Sequence, residues 1–226
     1  DISTRASHFL PLPYIYMLAS TLLAVVSALA PPAASIGKPY AEGLRANAAD
    51  HIAERELSES LGFRRAAAAV PITLQTRSHR VDRVALGMGK SCPFDSDELI
   101  VQTEEPLFTA SECAAVRAEA AAKIAAGAGS TFTMTNTNRD CAVHDLPQTL
   151  AWLNGGALGR VASLAATCFP SAVPSAESLW IYRGLVISYD AAAGLRHQPI
   201  HRDGALISCV VPLSARDEYE GGGTYV

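Results

Sequence analysis

Charge is scarce in this chain. Asp, Glu, Lys and Arg make up 18% of its 226 residues, against 49% for aliphatic, aromatic and Cys residues together. A disordered chain carries more charge and less apolar surface, so that class is excluded. Cationic excess is lacking too, since 18 Lys and Arg stand against 22 Asp and Glu. With no basic stripe either, no nucleic-acid partner is expected. The five cysteines Cys92, Cys113, Cys141, Cys168 and Cys209 include no CxxC or comparable ligand spacing, which argues against a zinc module. Internal repeats are absent. Aromatic residues reach only 7%, and 40 residues are Ala, which buries little area. The core must therefore come from a limited set of Leu, Val, Ile, Phe and Trp. The length suits one ordinary domain with an added segment at one end.

What is present begins with an apolar run. Phe9 to Ala30 carries no charge, and Pro11 and Pro13 interrupt only its start. From Met17 it resembles the apolar region of a signal peptide, with Ala28 as the better cleavage position and Met17 as a candidate start. An uncleaved membrane anchor is the alternative, since about 20 apolar residues span a bilayer. Either route leads to the secretory pathway (endoplasmic reticulum or secreted, with a possible membrane tether); a plastid-directed leader is the other option. The chain opens on Asp1 and stops at Val226 within a strand-like stretch, so a partial gene product is expected. The expected organisation is a leader or anchor over 1–34, a linker and helical extension over 35–92, and the clearer domain over 93–226.

Within that frame, Pro39 to Leu61 has a helical pattern that Gly62 can end. Val81–Leu86 reads as a strand, and Arg77–Arg83 as a solvated basic face. Thr109 and Glu112 form a capping box for a helix ending at Gly127, with Phe108 and Cys113 at the staple positions and Glu119 and Lys123 as an i,i+4 pair. Thr131–Thr137 alternates like a strand. Asp145 is expected to cap a helix from Pro147, and Ala157–Cys168 to form another. From Leu179 the period becomes two, giving strands at Leu179–Tyr182, Leu185–Tyr189 and Ala205–Leu213, the last at an edge or bulged at Pro212. Cys113 and Cys168 fall on apolar helix faces and Cys209 in an apolar strand, as small buried hydrophobes. Cys92 and Cys141, in loop-like stretches, are the better disulfide candidates in an oxidising compartment. Helices first and consecutive strands later imply an α+β fold, with strands in a sandwich or jelly roll and helices on one side.

The pair His201-x-Asp203 carries the chemistry. Residues two apart on an extended chain share a face, so an imidazole and a carboxylate lie side by side. Those are two legs of the facial triad that holds non-haem Fe(II) with open positions for other ligands. A surface His beside a solvated Asp in a turn is the competing reading, because so short a motif also arises by chance.

Context favours the first reading. The stretch LVISYDAAAGLRHQPIHRDGALISCVVPLSARDEYEGGGTYV resembles the iron- and 2-oxoglutarate-dependent dioxygenases of the prolyl 4-hydroxylase and lysyl hydroxylase type. A strand with Tyr, a Gly-containing connection, HxD, a strand ending in Leu and a polar residue, an acidic-aromatic turn and GGG follow in that order. PLFTASECAAV resembles the start of that catalytic domain. The resemblance spans roughly residues 93–226. It implies a double-stranded β-helix (jelly-roll) core, incomplete at the C-terminus, with N-terminal helices packed on one side. It implies His201 and Asp203 as iron ligands and Tyr189 as a contact for 2-oxoglutarate, with a core aromatic as the alternative role of Tyr189. Gly221–Gly223 would be a structural bend. The distal His and the Arg or Lys that binds the far carboxylate of 2-oxoglutarate are expected beyond Val226, since His144 and His197 are poor substitutes. This fragment alone is expected to be inactive. The implied activity is hydroxylation of a peptide or protein side chain with decarboxylation of 2-oxoglutarate to succinate, using Fe(II) kept reduced by L-ascorbate. A jelly-roll binding module with a degenerate metal centre is the alternative.

Overall fold

A computed structural model describes residues 55–66, 72–82, 94–128, 140–192, 205 and 207–220, and the backbone of 21–28. Among the described residues the architecture is mixed: three helices with both ends described, the helical residues 55–60, and two antiparallel sheets. The helices are α1 (Ala110–Ala125), α2 (Pro147–Trp152) and α3 (Leu158–Cys168). The strands are β1 (Thr21–Ala28), β2 (Thr76–Arg80), β3 (Glu98–Thr103), β4 (Asp140–Ala142), β5 (Leu179–Ile187) and β6 (Ile207–Pro212). One sheet has the order β4-β5-β1-β6; β2 and β3 form the other.

Helix α1 begins as its sequence dictates. The Glu112 amide donates to Thr109 Oγ1 (3.2 Å), and the Thr109 amide donates to Glu112 Oε2 (2.8 Å). Such a cap stabilises a helix by about 1 kcal/mol. At the other end the Ala128 amide reaches the Lys123 carbonyl (3.1 Å) and the Gly127 amide reaches that of Ile124 (2.9 Å), with Gly127 at φ 71°. This double bond pattern is the Schellman motif, which needs a left-handed residue. The same pair of bonds, from Phe63 to Ser58 and Gly62 to Glu59, ends the helical residues 55–60. Between α2 and α3 a wide turn at Leu153–Ala157 kinks the chain.

Strand β5 unites what its sequence divides into two strands. Val25 is the register partner of Arg183 and Val26 that of Ile181, so Tyr182 is an extra residue, a β-bulge. The bulge reverses the alternation. Before it, Leu179 and Ile181 face the main core; after it, Val186 does, while Leu185, Ile187 and Tyr189 cluster with Ala142 on the opposite face. The main core joins Val116 and Ala120 of α1, Leu158, Val161, Ala162 and Ala165 of α3, Cys141 and Val143, and the β5 residues above. Phe63 and Ala66 belong to it too. Ile207, Cys209, Val211 and Leu213 pack against or within the same core, as their period-two pattern implies. Among the described strands β6 is at an end of its sheet, where Pro212 costs least.

Several sequence expectations are corrected. Glu119 and Lys123 do not pair. Glu119 instead accepts from the amides of Gln148 (2.8 Å) and Thr149 (2.7 Å) and from Thr149 Oγ1 (2.6 Å), while Lys123 reaches Asp145 (3.5 Å). A carboxylate is worth more against the unsatisfied amides of a helix start than against an exposed ammonium. With Glu119 on those amides, Asp145 is not the cap of α2, whose N-cap residue Leu146 makes no side-chain bond. Cys141 is not a loop residue: it lies on β4, fully buried, as a free thiol whose Sγ contacts the Ala120 carbonyl (3.6 Å). Of the strand expected at Val81–Leu86, residues 81 and 82 lie in no strand and 83–86 lie outside the described residues; the strand found is β2, just before it, and its partner β3 has no counterpart among the expected elements. Arg77 and Arg80 are exposed, as expected, and pair with Glu104 (3.3 Å) and Asp97 (3.1 Å). Thr131–Thr137 lies outside the described residues.

Candidate functional site

Tyr189 sits just past β5, buried on the face turned away from the helices. It takes that position because the bulge at Tyr182 sets Leu185, Ile187 and Tyr189 on that side. Asp140, fully buried, is the register partner of Ile187 and therefore lies near Tyr189 on the same face. Burial raises the Tyr189 phenol well above its ordinary value, and the Asp140 charge raises it further. The phenol is thus a neutral hydrogen-bonding group across the physiological range. Trp180, nearly fully buried, alternates with Leu179 and Ile181; its Nε1 has no hydrogen-bond partner among the described residues.

Beyond Tyr189 the chain turns. The Ala192 amide donates to Asp190 Oδ1 (3.0 Å), an Asx turn. His201 and Asp203 follow, and both lie outside the described residues, as do His197 and Gly221–Gly223. The next described strand is β6. Its far end is held by Arg117 of α1, which reaches Glu218 (2.7 and 3.2 Å) and Ser214 (3.4 Å), while the Ala215 amide donates to Glu218 (2.9 Å). Arg216–Glu218 forms the polar turn its sequence suggests.

His144 lies in the short helical turn before α2, edge-on to Phe63 of the main core with ring centroids 6.3 Å apart. Among the described residues no three His, Cys, Asp or Glu side chains come together as a metal site. Nor is any described helix long and apolar enough to cross a membrane. The sequence pattern sets Tyr189 on one face with Leu185 and Ile187 but gives no sign of Asp140. A lone Asp after the polar stretch TNTNR carries no periodic signal of burial, and only the β4–β5 register brings it to Tyr189.

Comparison of the chain with protein-family models, curated proteins and solved structures finds no match in any of the three.

Proposed function

We propose that the chain is the catalytic region, in part, of an iron- and 2-oxoglutarate-dependent dioxygenase with a double-stranded β-helix core. In this reading it hydroxylates a peptidyl side chain, as prolyl 4-hydroxylases do. The observation that carries it is the order Tyr189, His201-x-Asp203, apolar strand, acidic-aromatic turn, GGG. Two features of the fold support it. The segment holding His201 and Asp203 connects β5 and β6 of one antiparallel sheet. Tyr189 is buried on the sheet face left uncovered by the helices of the main core.

An imidazole and a carboxylate are donors of the right chemistry for Fe(II), and His201 and Asp203 would hold it. The bound metal would supply O2 activation, coupled to decarboxylation of 2-oxoglutarate to succinate. Tyr189 would donate a hydrogen bond from its phenol to a carboxylate of 2-oxoglutarate, a role its neutral state suits. L-ascorbate would keep the iron reduced, and the apolar segment in 1–34, retained as an anchor, would deliver the protein to the secretory pathway. The distal His and a basic residue for the co-substrate are sought downstream of Val226.

The test uses the gene product carried through its downstream reading frame, with Fe(II), 2-oxoglutarate, ascorbate and Pro- or Lys-containing peptides. Succinate should form only with iron. His201→Ala and Asp203→Ala should each lower its rate at least about a hundredfold. Tyr189→Phe should raise the KM for 2-oxoglutarate about tenfold and change kcat little. Iron binding without succinate formation would point to a binding module instead. Metal content and function indifferent to His201→Ala would make the motif a chance match.

A further inference from the structure

The larger sheet has a slot one strand wide. Strand β1 fills it, pairing with β5 on one side and β6 on the other. Leu22 is the register partner of both Val186 and Val211, and Ala24 of both Gly184 and Cys209. β6 therefore joins the sheet through β1. Yet β1 belongs to the uncharged run Phe9–Ala30, which is long enough to enter a bilayer. In hydrocarbon an isolated segment must satisfy its backbone groups internally, as a helix. In the sheet the same groups are directed to two neighbouring strands. One set of amides and carbonyls cannot serve both arrangements.

We propose that Thr21–Ala28 is an exchangeable strand. It is seated between β5 and β6 in water and withdrawn when the apolar run enters a neutral phospholipid bilayer. Membrane binding then opens the slot and releases β6, the strand that follows His201 and Asp203. The inference stands on register and apolar patterning and does not depend on the dioxygenase reading.

The test exploits a native thiol. Directly opposed positions of an antiparallel pair come within disulfide range. Ala24→Cys in the full chain, mildly oxidised in buffer, should give a disulfide from position 24 to Cys209, read by peptide mapping. Val25→Cys, whose register partner is Ser208, should give at least about fivefold less. Phosphatidylcholine vesicles should lower the Ala24→Cys yield at least about fivefold. In the unsubstituted chain they should speed exchange of the β6 amides that bond to β1 about tenfold or more. Failure of position 24 to link to Cys209 in buffer would overturn the proposal. So would a yield, or an exchange rate, that vesicles leave unchanged.

Discussion

At the residue scale, Glu112 does more than cap a helix. Its carboxylate accepts from Thr109, from Trp152 Nε1 (2.9 Å) and from both terminal nitrogens of Arg160. Arg160 also lies over the Phe108 ring at 4.6 Å, and Phe108 packs on Trp152 at 5.0 Å. The Arg160 guanidinium is the main cause that holds the Glu112 carboxyl far below its ordinary value of 4.5, with the Trp152 and Thr109 bonds adding to it against the cost of burial. A carboxyl depressed on folding stabilises fully above its unfolded value and loses that contribution as pH falls through the folded one. Glu112→Gln should therefore cost about 2 kcal/mol at neutral pH. Below pH 4.5 its urea midpoint should fall less steeply than that of the unsubstituted chain, which paired denaturation curves would show. Cys141 offers a second check. Burial pushes its thiol up to about 11, so alkylation in the native protein should be at least about a hundredfold slower than in urea. Equal rates would place the thiol at the surface, where a disulfide partner could reach it.

At the element scale, the most informative link is the one between α1 and α2. Glu119 supplies from a neighbouring helix the cap that α2 lacks in its own sequence. Glu119→Ala should cost about 1–2 kcal/mol in thermal or urea unfolding, and Glu119→Gln about half as much, since one acceptor remains. Gly127→Ala tests a different term. A Cβ there meets nothing within 4 Å, so only the left-handed backbone is penalised, by about 1 kcal/mol. These elements also show where a sequence speaks and where it is silent. The Thr109–Glu112 box and the Gly62 and Gly127 stops were legible because each acts within a few residues. The Glu119 cap spans about thirty residues, and the bulge at Tyr182 depends on the neighbouring strand, so local pattern could not reveal them. The face shared by Leu185, Ile187 and Tyr189 was legible, because it lies wholly on one side of the bulge. Asp140 was not, because only strand register buries it.

At the scale of the whole molecule, burial is uneven, and stability should follow it. β5 contributes seven buried residues of nine, and α3 six of eleven, whereas β2 has none and β3 only Gln102. Local opening is easiest where little apolar surface is lost. Amides of the β2–β3 pair should therefore exchange at least about a hundredfold faster than those of β5 and α3. β6 lies between these extremes. Its core-facing residues are only half-buried up to Val211, and beyond it the chain is tied down through Arg117, Ser214 and Glu218. That tie is exposed at the Glu218 end, so its loss should barely change global stability. Its effect should be local. Arg117→Ala should raise exchange at Ala215 and Glu218, and at Val211 to a smaller degree, while β5 keeps its protection. If β5 responded as strongly as β6, the helical layer and the turn after β6 would be one cooperative unit, and the ordering of β6 could not be adjusted separately from the core.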